Sequence, residues 1–317
     1  MSARALGSRP WILCFLIGLA LGPGCRTTPP TAVPFSAGAP LAIADARAER
    51  VLDRHLSIAA TRPALRGLAR VSLEGPDFKL NRPQRIAVAR PARLRFEVLG
   101  LFDQLAGLLV TDGRRFGYFD ASQGAVTRGR MTPRLLWDLA RIDLEAHEVV
   151  ELLLGVPTPS PGTARAGVWL EAEGRIAVAF AWPASPNGRP AACLTDVERA
   201  TFDPACFLAP DAIGESGGEI FFFGPEGRLR ELRVLEPAGE IRFRALFADY
   251  ASLPSAAVEL VEADETPGAG EFANRLTILS PRIGAEARFL WKRVMLTDGL
   301  SDRFFEIPRR DGEERDG

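Results

Sequence analysis

From residue 65 onward, hydrophobic residues recur at every second position. In the segment RLRFEVLG, Leu94, Phe96 and Val98 fall on one side of an extended chain and charged residues fall on the other. The same alternation recurs in the segments Gly67-Ala69-Val71-Leu73, Ile86-Val88, Phe116-Tyr118, Ile176-Val178-Phe180-Trp182, Ile241-Phe243-Ala245-Phe247 and Phe289-Trp291 with Met295. One apolar face and one polar face is typical of antiparallel strands with a solvated side. Turn sequences such as Thr111-Asp112-Gly113 separate the segments, so the pattern predicts about eleven or twelve strands.

Helical spacing interrupts this pattern in two places. Asp45 is placed to cap a helix that runs to about Thr61. Its apolar stripe comprises Val51, Leu52, His55, Leu56 and Ala59. Midway along the chain, Thr132-Pro133 opens a short helix, and Asp143 opens a second one that ends at Leu154. This last helix is apolar on most of its circumference, so it is expected to cover something that the sheet forms.

Together these elements predict a mainly β fold of the α+β class. The expected architecture is a curved antiparallel sheet that forms an incomplete barrel, with the N-terminal helix and the helical insertion as its lid.

The N-terminus follows a different pattern. Arg4 and Arg9 precede an apolar run over 11–21 that is too short to span a bilayer as a helix, and Gly22-Pro23-Gly24-Cys25 follows. This order resembles a bacterial lipoprotein signal, which implies cleavage before Cys25 and acylation of that residue. In this chain Gly22 stands where the usual motif has Leu. The alternative is ordinary secretory cleavage at Ala37-Gly38-Ala39.

The chain divides into four parts on this interpretation. Residues 1–24 are the signal peptide, and residues 25–43 are the lipidated N-terminus and a flexible tether rich in Pro, Thr and Ala. Residues 44–308 form the folded domain, which an irregular insertion at 183–217 interrupts. Residues 309–317 are a charged tail that is expected to be disordered.

Charge and cysteine content narrow the function classes. The formal net charge of −1 gives no overall attraction to nucleic acid. Once Cys14 leaves with the signal peptide and Cys25 carries lipid, Cys193 and Cys206 remain. An even pair in an exported protein predicts a disulfide across the insertion, and the alternative is two reduced thiols that are buried separately. There is no C-x-x-C motif and no nearby His, so a zinc site is not expected.

Motifs that suggest catalysis lack the required context. Gly214-Glu215-Ser216-Gly217-Gly218 matches G-x-S-x-G, but a nucleophile elbow needs a helix after the Ser and a later His. Here the apolar segment EIFFF follows, and His55 and His147 come earlier. Gly268-Ala269-Gly270 also precedes a strand pattern, so it does not fit a dinucleotide site. We therefore expect no catalytic residue, no metal site and no cofactor beyond the covalent lipid at Cys25.

The order of the segments resembles the LolB family of outer-membrane lipoprotein receptors and its lipoprotein-sorting relatives with the LolA/LolB fold. The resemblance lies in RGLARVSLEG, PARLRFEVLGLF, LLVTDGRRFGYFD, TPRLLWDLARIDLEAHEVVELLLGVP and FLWKRVMLTDGLSDRFFEIP, and covers most of residues 62–308. The chain is longer than is typical for the family, and the 183–217 insertion is not part of the family pattern.

This resemblance implies a receptor on the periplasmic face of the outer membrane. Its partners would be lipoprotein cargo, a periplasmic LolA-like carrier and outer-membrane lipid, and a hydrophobic cavity would accept the acyl chains of the cargo. The candidate cavity residues are Leu94, Phe96, Val98, Phe116, Tyr118, Phe180, Trp182, Phe289 and Trp291. For each of them the alternative is ordinary core packing.

The resemblance also points to the turn after RLRFEVLG. Receptors of this family carry a protruding apolar residue there that touches the membrane, and GLF at 100–102 is similar to it. Leu101, Phe102 and Leu105 are therefore candidate membrane-contacting residues, and the alternative is that they fold back onto the sheet.

Two other functions remain open from the sequence. One is a structural lipoprotein with a filled core that scaffolds an envelope assembly machine, and the other is a carrier of a different lipid. The sequence leaves the oligomeric state open.

The lipid anchor is testable directly. Arg26 follows Cys25, whereas lipoproteins retained in the inner membrane commonly carry Asp at that position. We expect mass spectrometry of the mature N-terminus to find an acylated Cys25, and Cys25→Ser to yield soluble protein or unprocessed precursor. Cleavage at another position without attached lipid would refute the anchor.

Overall fold

The computed structural model describes residues 38–132, 134–140, 144–182, 194–196, 201–202, 216–237, 239–254, 258–259 and 270–307. Several predictions lie outside the described residues. These are the signal peptide with Cys25, the first part of the tether, the cap at Asp143, the pair Cys193 and Cys206, and the charged tail.

Three α-helices and seventeen strands are described. The helices are α1 (Ala46–Ala60), α2 (Leu135–Ala140) and α3 (Ala146–Leu153). The strands of the first half are β1 (Ala39–Pro40), β2 (Ala64–Gly75), β3 (Phe78–Ala89), β4 (Arg93–Leu99), β5 (Leu105–Thr111), β6 (Arg115–Asp120) and β7 (Ala125–Arg130). Those of the second half are β8 (Ala164–Leu170), β9 (Ile176–Ala181), β10 (Leu194–Asp196), β11 (Thr201–Phe202), β12 (Gly218–Phe223), β13 (Leu229–Leu235), β14 (Ile241–Ser252), β15 (Val258–Glu259), β16 (Glu271–Ser280) and β17 (Ala285–Thr297). No described helix has an apolar stretch long enough to cross a bilayer.

One sheet of fifteen strands dominates the structure. Its order is β1-β8-β9-β12-β13-β14-β16-β17-β2-β3-β4-β5-β6-β7, with β15 pairing beside β17. The pairs along this order are antiparallel, and β15 is parallel to β17. The sheet is curved and not closed, so the predicted fold class is confirmed. The strand count exceeds the prediction partly because β1 and β15, of two residues each, are too short to leave a periodic pattern.

The connection from β7 to β8 explains where the helices lie. Strand β7 is at one edge of the sheet and β8 is next to the other edge, so the chain must cross the open sheet between them. Helices α2 and α3 lie in this crossing, and α3 contacts β3 and β4. We call the face that the helices cover the inner face and the opposite face the outer face.

Helix α1 begins and ends where the sequence predicts. The Asp45 carboxylate accepts a hydrogen bond from the Arg47 backbone N–H at 2.9 Å, which is the expected N-cap. Leu52, His55 and Ala59 are buried against the sheet. Leu56 is exposed instead, because it falls at the outer edge of the apolar stripe.

Helix α3 starts slightly later than predicted. Glu145 is its N-cap, and the Glu148 side chain accepts from the Glu145 backbone N–H at 2.8 Å in a capping box. Gly155 ends the helix with a φ of 75°, a conformation that glycine adopts readily. The apolar residues on most of the helix circumference are buried, as predicted. They are Leu144, Val149, Val150, Leu152, Leu153 and Leu154. This apolar helix fills the inner face.

Two arginines, the buried Arg62 and the partly buried Arg90, connect the ends of α1 and α3. Arg90 donates two hydrogen bonds to the Glu151 carboxylate, at 2.6 and 2.9 Å, and others to the carbonyls of Ala59 and Val156. Arg62 is 2% exposed and donates to the carbonyls of Leu154 and Glu271. Burial lowers the pKa of Arg62 to about 10, so it remains charged at neutral pH.

The outer face of the sheet is not solvated along its whole length, contrary to the prediction. In β9 and β12 the residues on both faces are buried. The outer-face residues form a second apolar cluster of Ala166, Trp169, Ala177, Ala179, Ala181, Ile220, Phe222 and Leu235. The sequences IAVAFA and EIFFF already carry this information, since continuous apolar runs are typical of strands that are covered twice.

A β-bulge in β17 makes the predicted inward position of Met295 wrong. The pairing of β17 with β2 shifts register between Trp291 and Arg293. After this shift Met295 lies on the outer face beside Arg66, although simple alternation from Trp291 predicted an inward position.

The end of the predicted tether belongs to the sheet. Ala39 and Pro40 form β1 and pair with β8, and the Leu41 N–H donates to the Val168 carbonyl at 2.9 Å. The sheet therefore includes residues that the sequence assigned to the tether.

Candidate functional site

The turn between β4 and β5 exposes two large hydrophobic side chains. Leu101 is 68% exposed and Phe102 is 98% exposed, while Leu105 is 37% exposed. The Gly100 N–H donates to the Gln104 carbonyl at 2.8 Å and closes the turn. These three hydrophobic residues therefore protrude from one end of the sheet, as the sequence predicted for a surface tip. Their contact with a membrane stays a prediction.

Backbone geometry at this tip is unusual for its residues. Phe102 and Asp103 have φ values of 59° and 58°, which lie in the left-handed region. Tight hairpin turns that need two such residues normally use Asn-Gly or Asp-Gly, because a large side chain is strained there. A strained, fully exposed Phe is difficult to explain by folding and is typical of a residue kept for contact.

The nine candidate cavity residues all lie on the inner face, but they do not line one open space. Leu94, Phe96, Phe180, Phe289 and Trp291 are buried in the main core. Phe116, Tyr118 and Trp182 are partly buried and pack against that core, and Val98 is half-buried. Register brings the β4 and β6 residues together, because Phe96 and Tyr118 both pair with Leu109. The residues on β9 and β17 lie elsewhere in the sheet.

An inner-face cavity of about 230 Å³ lies instead beneath α3. Its apolar walls come from Leu152 of α3, from Leu232 and Val234 of β13, and from Phe243 of β14. The segment 157–161, of sequence PTPSP, borders it on another side. We call this space the α3 cavity and the segment 157–161 the proline loop. Both are confined to the side of the sheet that the helices cover.

Three polar side chains, two of them buried and one partly buried, hold the proline loop in place. His55 makes a 2.7 Å hydrogen bond with the Pro157 carbonyl. The Glu151 carboxylate accepts from the Thr158 N–H at 3.0 Å, and the Glu219 carboxylate accepts from the Ser160 N–H and hydroxyl at 2.8 and 2.6 Å. The loop position is thus determined by α1, α3 and β12 together.

The three side chains differ in their charged partners and in their pKa values. Glu151 is paired with Arg90, whereas the hydrogen bonds described for Glu219 come from Ser160 alone. Burial raises the pKa of Glu219 above its usual range, with the nearby Glu151 adding to the effect. Burial lowers the pKa of His55 to about 4, so the imidazole is neutral at pH 7. Its neutral Nε2–H can donate to the Pro157 carbonyl, which explains the short contact.

The sequence contains a signal for Glu219, although this residue is not among the predicted cavity residues. In the segment GEIFFF, Glu219 alternates with Phe221 and Phe223, which face inward. A charged residue at an inward position requires a partner, and the hydroxyl of Ser160 supplies it only after the chain folds. The apolar residues of β13, β14 and α3 that line the cavity show no comparable signal in the sequence.

The structure places two residues of the motifs that resemble catalytic sites. Ser216 lies two residues before strand β12, so a strand follows it. His147 contacts Glu145 at 3.4 Å on the surface of α3. Within the described part of the chain, no group of three or more His, Cys, Asp and Glu residues is arranged to hold a metal ion.

The fold defines the class of protein: an open, curved antiparallel sheet with helices packed on its inner face. Structures similar to this chain include a DUF1329 family protein from Desulfovibrio piger, with 11% identity and a TM-score of 0.48 over 81% of this chain and 96% of that one. The LolA superfamily protein NE2245 from Nitrosomonas europaea shows 10% identity and a TM-score of 0.46 over 82% and 97% of the two chains.

A third similar structure is a domain assigned to outer membrane lipoprotein sorting from Vibrio parahaemolyticus. It has 11% identity and a TM-score of 0.45, and the alignment covers 81% of this chain and 97% of that one. Two of the three carry lipoprotein-sorting or LolA names, and LolB itself is not among the three. These TM-scores are below 0.5, so the similarities carry no argument about ligands. No protein-family model and no curated protein sequence matches the chain.

The buried Glu219 gives a prediction about pH. Because its pKa is raised in the folded protein, its contribution to stability is full below the usual value of 4.5 and is lost as pH rises through the folded-state pKa. Glu219→Gln keeps an oxygen acceptor for Ser160 but cannot titrate. We expect the free energy of unfolding of this variant, relative to wild type, to increase as pH rises from about 4 to about 8.

Urea denaturation at several pH values measures this difference. The control is Glu240→Gln, which changes an exposed carboxylate. A difference for Glu219→Gln that changes with pH no more than the control does would show that burial does not shift the pKa of this carboxyl group.

Proposed function

We propose that this protein is an outer-membrane lipoprotein that binds acyl chains of other lipoproteins and helps to insert them into the membrane. The observation that carries the proposal is the tip of Leu101 and Phe102. A 98% exposed Phe in a left-handed turn conformation has no role in the core of this protein. An apolar group held rigidly in water at the end of a sheet is suited to entering a lipid surface.

The energy available from the tip matches a transient contact. Burying one large apolar side chain contributes about 1.5 to 3 kcal/mol, so Leu101 and Phe102 together contribute only a few kcal/mol. That is enough to orient the protein against a bilayer but too little to anchor it. Stable attachment would come from the lipid on Cys25.

The α3 cavity is the candidate place for the cargo acyl chain. Its exposed walls are mainly apolar, and α3 and the proline loop border it. At about 230 Å³ it is smaller than typical ligand pockets, which begin near 300 Å³. Acceptance of long acyl chains therefore requires α3 or the proline loop to move outward. Transfer to the bilayer needs no nucleotide, since the acyl chain moves to a more favourable apolar environment.

A second function is favoured by a different observation. Eight of the nine candidate cavity residues are buried in the core or pack against it, as expected of a filled scaffold. A structural lipoprotein that supports an envelope assembly would use the same tip to contact the membrane or a partner. Lipid analysis of the purified protein separates the two functions, because only a carrier or receptor retains acyl chains.

A cavity-filling variant tests acyl binding. Val234→Phe adds volume to the α3 cavity, and Val110→Phe is a matched change at an equally buried outer-face position. Each should lower stability by about 1 to 3 kcal/mol through overpacking. We expect Val234→Phe to reduce binding of a fluorescent fatty acid at least tenfold and Val110→Phe to leave it unchanged.

Equal binding by wild type and Val234→Phe would exclude the α3 cavity as the acyl site. Absence of fatty-acid binding and of co-purified lipid in wild type would favour the scaffold function.

The tip has its own test. The double variant Leu101→Glu, Phe102→Glu should fold with a change in stability of about 0.5 kcal/mol or less, because both side chains are exposed. Cargo should remain bound, while its transfer into lipid vesicles should fall at least tenfold. Leu56→Glu, which changes an exposed leucine on α1, is the control and should transfer cargo normally.

Transfer at the wild-type rate by the double variant would exclude the tip as the membrane contact. A loss of several kcal/mol in stability would show that the two side chains pack inside the fold in solution.

A further inference from the structure

Three carboxylates border the α3 cavity beside its apolar walls. They belong to Glu148, Glu151 and Glu219. A carboxylate that is removed from water needs a cationic partner or hydrogen-bond donors. The partners that each carboxylate has within the protein therefore indicate what it can still bind.

Glu148 and Glu151 each have a guanidinium partner. Arg90 donates to both oxygens of Glu151, at 2.6 and 2.9 Å. Arg242 donates to Glu148, which also accepts from the Glu145 N–H at 2.8 Å. The negative charges of these two side chains are therefore compensated within the protein.

Glu219 has a different environment. It is 7% exposed, and within the described part of the chain its hydrogen bonds come from the N–H and the hydroxyl of Ser160, at 2.8 and 2.6 Å. A carboxylate can accept about four hydrogen bonds, so about two acceptor positions remain. The raised pKa of Glu219 agrees with this, because the two hydrogen bonds offset the effect of burial only in part.

Strand pairing places Glu219 next to the apolar wall of the cavity. On β12 it pairs with Val234 of β13 on one side and with Phe180 of β9 on the other. All three side chains lie on the inner face, and Val234 is itself a wall of the α3 cavity. Paired side chains on one face have β-carbons about 4.5 to 5.5 Å apart. An apolar chain that packs against Val234 therefore lies close to the Glu219 carboxylate.

A carboxylate in this position distinguishes between ligands by their polar ends. An ester or an ether has only acceptor atoms, so beside Glu219 its oxygen lone pairs would face a second acceptor. A secondary amide or an alcohol offers an N–H or an O–H, and a hydrogen bond to an ionised acceptor is about twice as strong as one between neutral groups. Such a bond also replaces the water that the donor loses when it enters an apolar cavity.

We propose that Glu219 gives the α3 cavity a preference for ligands whose apolar chain ends in an N–H or O–H donor. The chain packs against Leu232, Val234 and Phe243, and the donor reaches the remaining acceptor positions of Glu219. Acyl amides and long-chain alcohols share this chemistry. The inference rests on the proposed function, since it requires that the α3 cavity accepts apolar chains.

Two pairs of ligands test this preference with the full-length protein by calorimetry. N-methyloctanamide has an N–H where methyl octanoate has an ester oxygen, and nonan-1-ol is an isomer of methyl octyl ether that carries an O–H. Binding is measured at about pH 8, well above the usual pKa of a carboxyl group, to favour the ionised form of Glu219. The quantity compared is the affinity of the donor ligand divided by that of its partner, one ratio for each pair.

Removal of the carboxylate should abolish the preference. In Glu219→Met, which puts an apolar group of similar length in its place, we expect each ratio to fall at least tenfold, because the donor loses its acceptor. Glu219→Gln keeps the shape without the charge and provides the test if Glu219→Met does not fold. In this variant each ratio should fall at least threefold.

The control is Glu231→Gln on the neighbouring strand β13. Glu231 is similarly buried, but it lies on the outer face and pairs with Arg233 and Arg244. Both ratios should be the same in this variant as in wild type. Val234→Phe should weaken the binding of all four ligands, as expected if they occupy the α3 cavity.

The results separate the ligand classes and the two proposals. A fall in the amide ratio alone would identify acyl amides as the ligands, and a fall in the alcohol ratio alone would identify alcohols. If the ligands bind but neither Glu219 variant changes either ratio, the inference is wrong and the proposed function stands. If wild type binds none of the four ligands, or Val234→Phe binds them all unchanged, acyl binding in the α3 cavity is wrong and the inference fails with it.

Discussion

The helical layer on the inner face depends on two arginines, the buried Arg62 and the partly buried Arg90. The last carbonyl groups of a helix have no partners within the helix, and α1 and α3 both end inside the protein. Arg90 donates to the carbonyls of Ala59 and Val156, and Arg62 donates to that of Leu154. Positive charge also suits the C-terminal end of a helix dipole. These contacts hold two helices from distant parts of the sequence over one sheet, and removal of either guanidinium would remove hydrogen bonds to carbonyls where these helices end.

This arrangement gives the two parts of the candidate site different properties. The α3 cavity is bounded by a helix and by the proline loop, whose position rests on His55, Glu151 and Glu219. These contacts are polar and come from side chains of three separate elements. The tip is attached directly to the hydrogen-bonded strands β4 and β5. The position of the proline loop therefore depends on side-chain contacts, whereas the position of the tip depends on backbone pairing.

The two faces of the sheet also differ in what they can bind. The inner face is filled by helices and a large apolar core. The outer face is apolar over β8, β9 and β12, whereas the outer face of β13 carries the ion pair of Glu231 and Arg233. A single antiparallel sheet can differ in this way between its two faces, because side chains alternate between them.

The sequence by itself determined the elements whose cause is local. The Asp45 cap, the period of two in RLRFEVLG and the apolar residues at 101 and 102 each act over a few neighbouring positions, so their consequences could be predicted. Tertiary structure alone decided the location of the α3 cavity, the burial of both faces of β9, and the register shift that turns Arg293 and Met295 outward. These features depend on contacts between residues far apart in the chain, such as Glu219 with Ser160 and Arg66 with Met295. No local pattern specifies such partners, because they meet only when the crossing from β7 to β8 and the pairing of β17 with β2 have brought distant segments together.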